Sequence, residues 1–298
     1  MNKSVCIAEV GPRDGFQNVK KFIPTEVKLK VIEGLVNAGL QRIQITSFVS
    51  PRAIPQLRDA AEVAEECMKR YPNNKFFALA LNYRGVELAL EHGIRDVSFV
   101  ISVSESHNRA NGNKSVEESF RELKHAAEFE GAKLTLDVAT AYHCPFEGKI
   151  SYQAVKAHVE RGRELGIRSF NLCDTVGKAT PREVRQYMGG LIGEYPDCSF
   201  HAHIHDTRNM GILNSLTAVQ CGAASIQLAI GGLGGCPFAP GASGNTATED
   251  FVYMLNEMGW DTGVDFCALM RTARYVKDMV PGVFSGHQIF IESESAGA

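Results

Sequence analysis

The chain has 298 residues, 44% of them hydrophobic and 22% charged, with a formal net charge of −3. That is ordinary globular composition, long enough to bury a large core in one big α/β domain or two smaller ones. The near-neutral balance, without a basic block, excludes a nucleic-acid partner from the leading readings. The lack of a long apolar run does the same for a membrane span or an export signal.

In chain order, short apolar runs alternate with longer amphipathic stretches. VCIAEV reads as a first strand. Pro24 then opens a helix in which Val27, Val31, Leu35 and Val36 fall at helical spacing. RIQIT is a second strand and PQLRDAAEVAEECMKRY a second helix. FFALAL, DVSFVI, KLTLDVA, SFNLCD, SFHAHI and SIQLAI supply six more strands. Helical patterns follow them at 84–92, 115–130, 151–165, 180–194, 209–221 and 245–258. A further helix at 265–278 precedes a polar tail, ESESAGA.

Eight strands and eight helices in strict alternation predict a parallel sheet with helical crossovers. The expected fold is α/β, a (β/α)8 TIM barrel with a short C-terminal helical extension. It is read as one domain over 1–285 followed by a tail at 286–298. A doubly wound open sheet is the second reading, but no GxGxxG turn follows the first strand. Eight cysteines are scattered without a CxxC pair. Together with the missing export signal, they read as reduced thiols in a cytoplasmic protein.

A barrel of this kind builds its site at the C-terminal ends of its strands. Strand one runs into Arg13 and Asp14, strand six ends at Asp174, and strand seven ends in HAHIHDT. His203 and His205 are two apart on a strand, so both face one way, and two imidazoles near a carboxylate suit a divalent metal. Two satisfied histidines at a strand end are the plainer reading. His201 shares their face one step deeper in the barrel. Strand eight runs into GGLGGCPFAPGASGNTATED, where Asn245 opens the next helix. This glycine-rich loop is a connector, an anion cradle or a mobile lid carrying a thiol at Cys236; it lacks the Lys-Ser or Lys-Thr of a P-loop.

The motifs EVGPRDGFQN, TSFVSP, CPFEGKIS, DTVG, HIHDT and the glycine loop resemble the 3-hydroxy-3-methylglutaryl-CoA lyases, from about residue 5 to 260. These belong to a wider group of metal-dependent TIM-barrel lyases and Claisen-type synthases. The resemblance implies cleavage of a 3-hydroxyacyl-CoA to acetyl-CoA and a keto fragment by retro-Claisen chemistry. It implies a divalent Mg or Mn on Asp14, His203, His205 and Asn245. It makes Arg13 the catalytic arginine and Cys236 the lid cysteine, with Asp174 and Glu249 in the acidic network of the site. His203 or Asp174 would serve as base. Lys20, Asn111 and Ser115 fall where the family contacts CoA, and Gln44, Asp137, Asn171 and Thr175 are expected around the substrate. The implied partner is an acyl-CoA, and the implied assembly a homodimer.

The chain departs from the family pattern at several positions. Gln44 stands in place of a glutamate and Gln227 in place of an aspartate. Thr135 and Asp137 stand where an arginine and a tyrosine are usual. Asn171 replaces a serine and Asn209 a glycine. The bond-cleaving apparatus therefore reads as intact and the substrate pocket as altered. A Claisen-type synthase, a pyruvate-type aldolase and a non-catalytic acyl-CoA binder are the competing functions.

Overall fold

In the computed structural model, which describes residues 4–235 and 244–291, the alternating pattern closes on itself. Eight parallel strands form a barrel among the described residues: β1 (Ile7–Glu9), β2 (Arg42–Ser47), β3 (Lys75–Ala80), β4 (Asp96–Ser102), β5 (Lys133–Ala139), β6 (Ser169–Asp174), β7 (Ser199–Ile204) and β8 (Ser225–Leu228). Each strand pairs with its sequence neighbours, and β1 pairs with both β2 and β8. Closure removes the free edges of the sheet.

The strand pleat sorts side chains to two faces. Phe99, Leu136, Val138, Phe170, Leu172, Phe200 and Ile204 join the large apolar cluster. Alternate positions of the same strands carry Ser98, Thr135, Asp137, Asn171, His201 and His203, all buried. Deep in the barrel the polar groups satisfy one another. Thr135 meets Ser169 at 2.9 Å, Ser169 meets His201 at 3.1 Å, and His201 meets Ser225 at 2.7 Å.

The crossover helices start at recognisable caps. Ser115 with Glu118 and Thr180 with Glu183 form complete capping boxes at α5 (Val116–Ala127) and α7 (Pro181–Glu194). The other crossovers are α1 (Thr25–Asn37), α2 (Ala60–Arg70), α3 (Tyr83–Glu91), α6 (Tyr152–Glu164), α8 (Gly211–Gln220) and α9 (Thr248–Glu257), with α10 (Phe266–Met279) as the extension. No helix among the described residues is long and apolar enough to cross a membrane.

Three differences from the expected pattern bear on function. A further helix, α4 (Glu105–Gly112), follows β4, capped by Ser104 and ended by Asn113 in the left-handed region at φ 53°. Its run ESHNRANG has no apolar stripe, so periodicity does not reveal it. A wide helical turn, Gly11–Gly15, follows directly on β1 and is wholly buried. The tail expected from 286 is not free there. Gly286 N donates to Gly231 O at 3.2 Å, and the backbone N–H groups of His287 and Gln288 donate to Asp250, each at 2.7 Å. Asn209 has φ 55°, a conformation asparagine tolerates, which accounts for its standing where the family has glycine.

The segment after the Gly11–Gly15 turn is tied down by one buried cluster. Gln56 donates to Val19 O and accepts from Ile23 N, while the Lys28 ammonium bonds Gln56 O and lies 2.6 Å from Asp59. Removing the ammonium leaves a buried carboxylate uncompensated. Lys28→Ala is expected to lower unfolding free energy by about 3 kcal/mol, read from urea denaturation.

Candidate active site

The Gly11–Gly15 turn begins where Val10 O accepts the amides of Arg13 and Asp14, at 3.1 and 2.7 Å. This fixes Asp14 over the C-terminal mouth of the barrel. Its Oδ1 accepts from Arg13 Nη1 at 2.5 Å and Gln17 Nε2 at 2.8 Å. Its Oδ2 accepts from Asn245 Nδ2 at 2.6 Å. From β7 and the residue after it, His203 and His205 bring their Nε2 atoms to 3.0 Å from each other and 3.9 Å from Asp14 Oδ2. Asn245 lies opposite His205 in an antiparallel bridge.

Two features show that this group fits a cation. Asp14, His203 and His205 are all buried with ligand atoms mutually within 4.8 Å. Asn245 Oδ1 is buried without a hydrogen-bond partner, a costly state for an amide oxygen. A carboxylate, two imidazoles and an amide oxygen match a mixed-donor site for Mg or Mn better than a closed thiolate site.

The electrostatics follow from burial. Burial pushes the Asp14 carboxyl up, but Arg13, the two imidazoles and the Asn245 amide outweigh it and hold it at about 2. Burial, then mutual proximity, pushes His203 down, and burial also lowers His205. Neutral rings keep lone pairs available for a metal. His203 Nδ1 lies 3.1 Å from Gln227 Oε1. That oxygen can only accept, so Nδ1 carries the proton and Nε2 the lone pair.

Beside the cluster lies a cavity of about 400 Å³, lined among others by Arg13, Leu79, Val100, Asp137, Cys173 and Thr175. Asn111 lines its mouth with Lys114. Gln44 sits behind Arg13, accepting from its Nε at 2.6 Å. Asn171 donates to Asp137 at 3.2 Å. Burial raises the Asp137 carboxyl to about 6, against the pull of Arg13 and Asn171.

Four residues expected at the site stand outside the cavity. Asp174 accepts from the backbone N–H groups of Lys178 and Ala179, both at 3.0 Å, and does not line the cavity. Glu249 also stands outside it, accepting from Gly231 N at 3.1 and 3.0 Å. Ser115 spends its hydroxyl on Glu118 as a helix cap, 2.7 Å away. Lys20 is exposed and is not among the cavity residues. Cys236 lies outside the described residues.

Sequence reasoning passed over Glu9. Its Oε1 accepts from Gly11 N at 2.6 Å and Ile230 N at 2.9 Å, and its Oε2 from Thr248 at 2.5 Å. Glu9 and Glu249 thus hold the Asp14 turn and the start of the glycine loop from below. The signal available was an acid at the last position of an apolar strand.

The HMGL-like family model matches residues 4–276. This chain belongs to that family. It is 42% identical to the hydroxymethylglutaryl-CoA lyase of Bacillus subtilis over 279 residues, 93% of each chain. It is 39% identical to the mitochondrial hydroxymethylglutaryl-CoA lyase of Mus musculus over 277 residues, 92% of this chain and 85% of that one. Among solved structures, an HMG-CoA lyase from Acinetobacter baumannii in complex with coenzyme A and 3-methylmalate superposes with a TM-score of 0.93. That match has 36% identity and covers 99% of this chain and 97% of the other. The HMGL-like relatives named here are lyases, so the synthase and aldolase alternatives gain nothing from them.

Two predictions follow from this geometry. Gln227→Leu removes the acceptor that fixes the His203 tautomer, so Mn affinity measured by titration calorimetry is expected to fall roughly 10- to 100-fold, with the fold unchanged by circular dichroism. Glu9 and Glu249 have folded-state values raised from 4.5 to about 7 and about 8, in both cases chiefly by burial. The folded state therefore holds protons that the unfolded chain releases, and stability falls as pH rises through that window. Glu249→Gln is expected to lose less urea resistance between pH 5 and pH 8 than the unsubstituted protein.

Proposed function

We propose that this protein is a metal-dependent carbon–carbon lyase that cleaves a 3-hydroxyacyl-CoA, hydroxymethylglutaryl-CoA or a relative of it, to acetyl-CoA and a keto fragment. The observation that carries the reading is the convergence of Asp14, His203, His205 and Asn245 beside the Arg13 guanidinium at the wall of one cavity. The matched lyases support the reaction class. The coenzyme A in the Acinetobacter structure supports a CoA thioester as substrate.

Asp14 Oδ2, the Nε2 atoms of His203 and His205, and Asn245 Oδ1 would hold a Mg or Mn ion. When bound, the ion supplies Lewis acidity that lowers the pKa of a hydroxyl and polarises a carbonyl. The chain's own groups do the rest. Of the two proton acceptors expected from the sequence, only His203 lines the cavity; with Nδ1–H given to Gln227 and Nε2 to the ion, its place in this tautomer is that of a ligand. Breaking the C2–C3 bond of the thioester leaves negative charge on an enolate oxygen. Arg13 cannot lose its proton and is fixed by Gln44 and Asp14 before substrate arrives. A pre-set cation of this kind stabilises developing charge without reorganising. Cys236 would return a proton to the enolate carbon while the glycine loop keeps water out. Asn111 at the mouth and Thr175 in the wall would position the thioester.

The test is acetyl-CoA release by purified protein with Mg or Mn, over a panel of 3-hydroxyacyl-CoA thioesters. Turnover is expected to vanish with chelator and return with metal. Arg13→Met is expected to cost roughly 100- to 1,000-fold in kcat. Cys236→Ala is expected to lose turnover while Mn affinity stays. Silence of the wild type across the panel, or full activity in Arg13→Met, would sink the reading.

A further inference from the structure

The Asn245 amide is aimed by its two acceptors. Its Nδ2 donates to Asp14 Oδ2 at 2.6 Å and to Leu233 O at 2.8 Å. A carboxylate and a backbone carbonyl can only accept, so both amide hydrogens are spent and Oδ1 is left as the atom for a cation. Leu233 does not line the cavity. Its carbonyl is nevertheless one of the two restraints on a ligand oxygen.

Leu233 closes a short stem, 231–233, that the C-terminal segment holds from outside. Gly231 O accepts from Ser285 N at 3.1 Å and from Gly286 N at 3.2 Å, and Gly232 O accepts from Ser285 Oγ at 3.0 Å. Phe284 lies so close to Gly231 that a methyl there would come 2.6 Å from its ring. Gly286 is buried, and a methyl on it would meet Glu249 Oε1 at 2.7 Å and Ala247 Cβ at 2.9 Å. Stem and segment share one footing, the first turn of α9. Glu249 accepts from Gly231 N, while Asp250 accepts from the backbone N–H groups of His287 and Gln288 and meets His287 Nδ1 at 2.9 Å. Gly232 also reaches the ligand by a second route: a methyl on Gly244, the residue before Asn245, would collide with its carbonyl oxygen.

We propose that residues 284–288 position the metal ligand Asn245, with Ser285 and Gly286 as the positioning residues. Neither lines the cavity. They fix the stem, the stem fixes the Leu233 carbonyl, and that carbonyl turns the amide. Outer partners of this kind tune metal affinity without touching the metal. The inference rests on the metal-site part of the lyase reading and is independent of the reaction.

Mn affinity of the full chain tests it, read by titration calorimetry with no thioester present. Gly286→Ala drives a methyl into Glu249 and Ala247 and lifts the segment from the stem, so Mn binding is expected to weaken about tenfold. Ser285→Ala removes only the bond to Gly232 O and is expected to weaken it about threefold. Val283→Ala, in the same stretch but 83% exposed, is the control and is expected to bind Mn as the wild type does. Urea midpoints are measured in parallel. A segment that only stabilises the fold lowers the midpoint and leaves Mn affinity unchanged. Unchanged Mn affinity in Gly286→Ala overturns the proposal, as does an equal loss in Val283→Ala. If Gly286→Ala does not fold, Ser285→Ala decides in its place. A wild type that binds no Mn overturns the proposal together with the metal site. If the losses appear but no 3-hydroxyacyl-CoA releases acetyl-CoA, the lyase reading fails and the positioning role stands.

Discussion

The structure turns on one carboxylate. Asp14 is held by the arginine before it, by an asparagine 231 residues away and by the field of two histidines on a distant strand. The contacts with the asparagine and the histidines presuppose the closed barrel, because only closure puts the end of β1 beside the ends of β7 and β8. In return, the cluster concentrates charge where the barrel is most polar. A carboxylate this deeply buried is tolerable only with such partners. The same partners keep it ionised, which a cation site requires.

Around that centre the chain uses acids in two ways. Asp14 and Asp137 face the cavity. Glu9, Asp174 and Glu249 face backbone N–H groups and hold loops. All five are buried carboxylates on the barrel strands or on the segments that follow them. What separates them is whether the pleat or turn aims the side chain at the barrel axis or at the chain that follows.

That division explains how much the sequence disclosed. Strand positions were legible from apolar runs, and β5, β6 and β7 agree with the predicted segments residue for residue. The histidine pair was legible because two-residue spacing on a strand has one structural meaning. Asp174, expected as a site acid, does not line the cavity, and its parity with Phe170 and Leu172 already places it on the outer face. Ser115, expected as a CoA contact, is a helix cap, which the S-x-x-E spacing to Glu118 spells. Helix α4 was invisible because its residues are polar and its order comes from Ser104 and from packing on the barrel. Gln227 showed up only as a departure, since a hydrogen bond between neighbouring strands cannot be read from one of them.

The docking of residues 285–288 has a consequence for the birth of the molecule. Gly231, where the glycine loop begins, is gripped by Glu249 from one side and by Ser285 and Gly286 from the other. Asp250, one residue further on, is capped by His287 and Gln288. Synthesis must run from Asp14 to Gln288 before the framework of the site can be finished. Until residues 285–288 dock, Gly231 and Asp250 lack the partners that hold the start of the loop.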